Sequence, residues 1–222
     1  MDIMKAIEER HSVRKYLDRE LPDDVVESLK AEIDKCNTEG GLHIQLVLDE
    51  PEAFGSALVH YGRFKGVRNY IALVGRDGED LDELLGYYGE RLAILAQMLG
   101  LNSCWVALTF KKVKGVYDVA PGERLAAVIT LGYGENQGKP HKNKSIHTVS
   151  NISDESPEWF KNGVMAAMLA PTAVNQQRFH LDLVGSGVRA SAGIGIYAKL
   201  DLGIVKYHFE VGSGKDRSIW LR

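Results

Sequence analysis

The stretch Ala170-Pro171-Thr172-Ala173-Val174-Asn175-Gln176-Gln177-Arg178-Phe179 lies between an apolar helical run and an alternating strand. The run opens at Pro157-Glu158-Trp159 and continues through Met168, and the strand is Phe179-His180-Leu181-Asp182-Leu183-Val184. A polar turn in that setting offers the Thr172 hydroxyl and the Asn175 and Gln177 carboxamides, neutral groups that donate and accept at once. It reads as a turn that meets a ligand with mixed hydrogen-bonding edges. The plainer reading is a helix-to-strand loop that uses Pro171 and Asn175 as turn formers.

Working outward, the helix, turn and strand of this region echo residues 22–48. At a constant offset of 135, Pro22 falls on Pro157, Ile33 on Met168, Leu46 on Leu181 and Leu48 on Leu183. The overlay suggests a partial internal duplication, against the alternative that any two αβ units look alike when few residues are identical. Before it, Ile3, Met4, Ala6 and Ile7 predict a helix over 2–10 with Asp2 placed to cap, and Pro22-Asp23-Asp24 opens another to about Cys36. Strands are expected at 43–49, 69–75, 104–108 and 125–131. Between the second and third of these, Leu81 to Gly100 gives the longest helical pattern, and the Gly-, Lys- and Asn-rich residues 132–145 read as a long surface loop. This inventory predicts an α+β fold with a central mixed or antiparallel sheet flanked by helices, divided into a lobe of residues 1–150 and a second αβ lobe of residues 151–222.

The 222 residues are 45% hydrophobic and 26% charged with a net charge of −3, which points to an ordinary globular chain and gives no overall basic footprint for a nucleic acid. Cys36 and Cys104 stand without CxxC spacing or a matching histidine cluster, arguing against a disulfide framework or a structural zinc, and no metal site is expected. Met1 leads into a polar-interrupted helix rather than the apolar core of a signal peptide, and no apolar run of roughly 18 residues follows. A cytoplasmic protein with no membrane association is expected.

A second cluster lies in Glu9-Arg10-His11-Ser12-Val13-Arg14-Lys15-Tyr16. On a helix continuing through Ser12, Arg10 and Arg14 would share a face, with the Ser12 hydroxyl and the His11 ring nearby. Two guanidinium forks and a hydroxyl suit a phosphate. Cationic side chains at a helix end also serve simply to offset its dipole. Gly212-Ser213-Gly214-Lys215 has the flavour of a nucleotide loop but lacks the full P-loop spacing and a preceding strand.

Together the two clusters resemble the flavin-contacting signatures of the FMN-dependent nitroreductase family, in the branch of the TM nitroreductases. There, the first helix ends in a basic-Ser-x-basic motif, which Arg10-His11-Ser12-Val13-Arg14 matches position by position. The family's Ser-x-x-Asn-x-Gln-Pro-Trp turn is similar to residues 172–179, with Thr172 for Ser and Arg178-Phe179 where Pro-Trp is usual. Leu99 to Val106 and Leu131-Gly132-Tyr133 are similar to two further family segments. In relatives the turn follows the second helix, where this chain has only Cys36-Asn37-Thr38-Glu39-Gly40-Gly41, so the motif has moved into the second copy.

The resemblance implies a nitroreductase-like fold and an FMN held by Arg10, His11, Ser12 and Arg14 at its phosphate. It places Trp105, Ala107 and Leu108 beside the ring with an Ala107 backbone N–H near N5, Lys142 and Lys144 as late phosphate ligands, and Pro171, Thr172, Asn175 and Gln177 on the ring or ribityl side. It implies no catalytic side chain. Hydride would pass from NADH or NADPH through the flavin to a nitroaromatic, quinone or similar electron-poor small molecule in a ping-pong cycle. Tyr61, Phe64 or Trp105 would line the acceptor pocket, each equally able to serve as core. Family members are homodimers; here the second copy could supply the partner's share in cis, making one chain a monomeric pseudo-dimer. The competing reading is a flavin-binding protein with a different reaction, such as a dehydrogenase or dehalogenase, or with none.

Overall fold

The computed structural model describes residues 1–55 and 64–221, so Tyr61 lies outside it. The chain packs as two compact units, each built from separated stretches. A sheet unit comprises Glu9–Leu81 and Leu92–Lys139, and a hairpin unit comprises Met1–Glu8, Asp82–Arg91 and Pro140–Arg222.

In the sheet unit, helix α2 (Asp23–Gly40) starts after an extended Pro22 and buries Val25, Leu29, Ile33 and Cys36, a stripe at helical spacing. It ends on Gly41 at φ 61, whose N–H bonds to Asn37 O, an αL cap that glycine adopts without steric cost. The Asn37 carboxamide then ties this end to the next strand, accepting from Ile44 N at 2.7 Å and donating to Ile44 O at 2.9 Å. Strands β1 (Gln45–Val47), β2 (Asn69–Arg76), β3 (Asn102–Val106) and β4 (Glu123–Gly132) form one sheet in the order β1-β2-β4-β3, with every neighbouring pair antiparallel. The continuous apolar run of β2 suits a central strand covered on both faces. Its Tyr70, Ala72 and Val74 join Val13, Tyr16, Val47, Phe54, Val106 and Val128 in one core cluster.

In the hairpin unit, a short helix α4 (Ile146–Val149) precedes α5 (Glu158–Ala167), which opens after Pro157, and β5 (Phe179–Val184) pairs antiparallel with β6 (Gly187–Ala192). A further helix, α6 (Ala198–Ser213), packs on α5. Neither β6 nor α6 was expected from the sequence. The pattern of α6 is masked because polar residues share its buried face with apolar ones: Asp201, His208 and Glu210 are all buried. Each is matched. His208 places Nε2 2.9 Å from Glu90 Oε1 and Nδ1 3.1 Å from Ala166 O, with both side chains fully buried. Glu210 accepts from Tyr87 Oη and Trp220 Nε1, each at 2.6 Å. Glycine makes the close helix approach possible, since a Cβ at Gly203 would run into the Glu83–Tyr87 backbone of α3 (Leu81–Met98).

The duplication overlay holds locally and then breaks. Pro22 and Pro157 have nearly the same backbone, φ −60, ψ 150 and φ −64, ψ 148, and each opens a helix. The first helix runs 18 residues and the second only 10.

Candidate functional site

Helix α1 (Ile3–Glu9) stops before Arg10, so the helix expected to carry Arg10 and Arg14 through Ser12 does not form. Seven residues are marginal as a helix. Beyond it the backbone is extended and belongs to the sheet unit, with Ser12 bridging Ser103 in parallel, Lys15 bridging Lys65, and Tyr16 bridging Gly134. Val13 N donates to Ser103 O at 3.0 Å. Burial of Val13 and Tyr16 in the sheet core decides the conformation. An extended segment repeats every two residues, so Ser12 and Arg14 still share a side.

The basic cluster converges by this other route on Cys104 of β3. The Ser12 side chain hydrogen-bonds the buried Cys104 thiol, and Arg10 and Arg14 both bear on it electrostatically. Burial nevertheless holds the thiol above its ordinary range, outweighing the two guanidiniums. Arg10 is 3% exposed, while Arg14 is exposed with its Cζ 6.0 Å from the Phe64 ring centre. Tyr16 donates to Val13 O and meets Thr130 Oγ1, both at 2.7 Å. Burial pushes its phenol well up. Next to Ser12, the buried Ser103 hydroxyl has no hydrogen-bond partner among the described residues.

The segment after β4 closes over this cluster. Asn102 Oδ1 accepts from Gly134 N at 2.9 Å and its Nδ2 donates to Gln137 Oε1 at 3.0 Å. Gly138, at φ 74, comes so near that a Cβ there would lie 2.7 Å from His11 Cβ. The other expected residues of the sheet unit lie at and beyond the end of β3, which stops at Val106: Trp105 and Ala107 are half-buried and Leu108 is exposed. Phe64 joins an aromatic group, its ring tilted against that of Phe54 with the centres 5.1 Å apart.

The Thr172–Gln177 turn belongs to the hairpin unit. Pro171 lacks the N–H that a continuing α5 would need and biases Ala170 away from helix. Thr172 is accordingly extended at ψ 154, and a short 3-10 turn follows over Ala173–Asn175. Val174, Asn175 and Gln177 all take left-handed φ values, 47, 54 and 43. For a β-branched valine this costs about 1–2 kcal/mol.

The turn's polar atoms are largely matched with one another and with residues 141–144. Asn175 Nδ2 and Gln177 Nε2 each donate to Lys142 O at 2.8 Å, and Gln177 Nε2 also reaches Asn175 Oδ1 at 2.8 Å. Gln177 Oε1 accepts from Lys144 N at 2.9 Å, and Lys144 Nζ donates to Gln176 O at 2.6 Å and Gln177 O at 3.1 Å. Thr172 Oγ1 accepts from Gln177 N at 3.0 Å. Gln177 is 2% exposed, so of the expected contacts in this unit it is the one withdrawn from any surface; Pro171 and Thr172 are half-buried and Asn175, Lys142 and Lys144 exposed. The 3-10 turn is also held by Asp201, which sequence reasoning missed along with the rest of α6. Its Oδ1 and Oδ2 accept from Ala173 N at 2.9 and 3.1 Å, and Oδ2 accepts from Gln176 Nε2 at 2.8 Å. Burial pushes the Asp201 carboxyl up to about 6 against these bonds.

A four-stranded antiparallel sheet with flanking helices defines the fold class. Solved structures of similar fold include nitroreductase family proteins. A crystal structure described as a putative nitroreductase from Thermotoga maritima MSB8 superposes with a TM-score of 0.70 at 22% identity, covering 96% of this chain and 83% of that one. A putative nitroreductase from Desulfovibrio desulfuricans, solved in complex with FMN, gives 0.54 at 14% identity over 71% and 99%. An FMN-dependent nitroreductase from Clostridium difficile R20291 gives 0.52 at 13% over 68% and 98%. No curated protein matches the chain. The family model described as "Putative TM nitroreductase" matches residues 2–213, and the chain belongs to that family. No helix among the described residues is long and apolar enough to cross a membrane.

Proposed function

We propose that the protein is an FMN-dependent NAD(P)H oxidoreductase of the nitroreductase type that reduces nitroaromatic, quinone or similarly electron-poor small molecules. The observation that carries this reading is the grouping of Arg10, Ser12 and Arg14 about Cys104, with the unmatched Ser103 hydroxyl on the neighbouring residue that Ser12 bridges. That donor set fits a phosphate monoester: permanent charges neutralise it, and hydroxyls orient it. When bound, FMN supplies two-electron hydride chemistry between a nicotinamide donor and the acceptor. Arg10 gives the phosphate a charge partner shielded from water, where electrostatic attraction is strongest. Arg14 adds a solvent-facing charge, and the closing segment at Gly134–Gly138, held by Asn102, limits water at His11 and Ser12. In the hairpin unit, the Thr172 hydroxyl keeps its proton to donate, because its oxygen accepts from Gln177 N. The exposed Asn175, Lys142 and Lys144 are the further contacts proposed there. A backbone N–H near Ala107 is proposed beside N5, with Trp105 and Leu108 along the ring. Homodimer and single-chain pseudo-dimer are both open to this proposal, and a cytoplasmic location accompanies it.

The test is to purify the protein, record its visible absorption, add FMN, and then add NADH or NADPH without oxygen. A flavin spectrum that bleaches with either nicotinamide is expected. Flavin that binds but is not reduced supports the second reading, a flavin-binding protein with another donor or no turnover, which the mutual engagement of Asn175, Gln177 and Lys144 favours. Failure to bind FMN overturns both.

A further inference from the structure

We infer that Asp201 is the positioning residue that sets the left-handed conformation of the Thr172–Gln177 turn. The side chain of Val174 is 97% exposed, so its strained backbone gains nothing from burial. Strain of this kind persists only where surrounding contacts over-determine it. The contacts from residues 141–144 act at Asn175, Gln176 and Gln177, on the C-terminal side of Val174. Asp201 acts on both sides. Its carboxylate takes the Ala173 N–H immediately before Val174 and the Gln176 carboxamide two residues after it. Gln176 Nε2 is itself steadied by Ile196 O at 2.7 Å, in the segment that leads into α6. The grip is rigidly mounted, because Asp201 N bonds to Tyr197 O at 2.9 Å in the first turn of that helix and the side chain is 2% exposed. An anionic acceptor makes the stronger kind of hydrogen bond.

The geometry of this inference stands on the turn alone; its consequence for FMN rests on the function proposed above. Two measurements keep them apart. Backbone amide exchange, read without flavin, reports whether Asp201 holds Ala173. In Asp201→Ala, Ala173 is expected to exchange at least roughly tenfold faster, and in Asp201→Asn, which keeps an acceptor in place, within about threefold of wild type. Unchanged exchange in Asp201→Ala overturns the inference. Flavin fluorescence titration then reports the consequence: about a tenfold weaker FMN affinity in Asp201→Ala, mostly recovered on adding Val174→Gly, which removes the need to offset left-handed strain. A loss that Val174→Gly leaves in full makes Asp201 a merely structural residue and overturns its positioning role. If wild type binds no FMN while Asp201→Ala still frees the Ala173 amide, the proposed function falls and the clamp stands. Should Asp201→Ala fail to fold, Gln176→Ala removes the second half of the grip at a half-buried position. About threefold faster exchange at Ala173 is then expected, and no change counts against the clamp.

Discussion

Beside Ser12 a buried hydroxyl, that of Ser103, has no hydrogen bond among the described residues, whereas in the Thr172–Gln177 turn the polar side chains are spent on neighbours. The first segment gained its shape from the sheet: Val13 and Tyr16 are buried, and the donors come along at the positions the pairing dictates. The second has no sheet partner among the described residues and builds its shape from side chain to backbone bonds, at the cost of left-handed residues. A segment positioned by apolar burial can leave donors unspent for a ligand. A self-matched turn contributes mainly shape, keeping one hydroxyl proton at Thr172 and the exposed edge of Asn175 for contact.

The largest effects should break this contrast at its two ends. Arg10→Met removes a shielded charge while keeping the stem, and about a 100-fold loss of FMN affinity is expected, since a charge-assisted bond away from water contributes about 1.5–3 kcal/mol. Arg14→Met, at an exposed position, should cost clearly less; equal losses in fluorescence titrations would remove the distinction between shielded and exposed anchor. At the other end, Gln177→Ala should lower stability by about 2 kcal/mol in urea unfolding, because Lys144 N and Lys142 O lose their buried partner. Its effect on FMN should follow from the loosened turn alone.

What the sequence allowed one to read divides along the same line. Strands β2 and β4 and helices α2, α3 and α5 declared themselves by apolar periodicity, whereas Arg10, Ser12 and Arg14 were singled out by their resemblance to the family's basic-Ser-x-basic motif. Their spacing was read as helical; the segment is extended instead, a backbone that also returns Ser12 and Arg14 to one side. The echo at offset 135 was legible through Pro22 and Pro157, and its end is equally physical. Pro171 falls on Cys36, where the first helix continues, and a proline there stops the second. Cys104 and Ser103 could not be tied to Ser12, because a pairing across some ninety residues of chain leaves no local signal. Asp201 was hidden within α6, whose buried acids and histidine obscure its periodicity.

A subtler probe of the turn is pH. Asp201 has its folded pKa raised from 3.8 to about 6, so the folded chain binds more protons than the unfolded one in that window. Its contribution to stability is therefore fully present below pH 3.8 and is lost as pH rises through about 6, on the order of 3 kcal/mol in all. Comparing wild type with Asp201→Asn across about pH 4–7 isolates this term from the carboxylates whose pKa values are lowered, such as Glu123. The wild type should lose stability relative to the variant as pH rises. Parallel curves would mean that burial does not dominate the carboxyl's surroundings.

The smallest expected effect is the sharpest test of the unspent donor. Ser103→Ala deletes a buried hydroxyl that no described group satisfies, so the flavin-free protein should be unchanged or more stable by up to about 1 kcal/mol, the reverse of the usual outcome for a buried serine. With FMN the order should invert, the variant binding about three- to tenfold more weakly because one orienting donor is gone. The two signs must appear together. A destabilised flavin-free variant would show that Ser103 Oγ is already matched, and a stabilised variant with unaltered FMN affinity would place that hydroxyl outside the phosphate's reach, leaving Arg10, Ser12 and Arg14 to hold it.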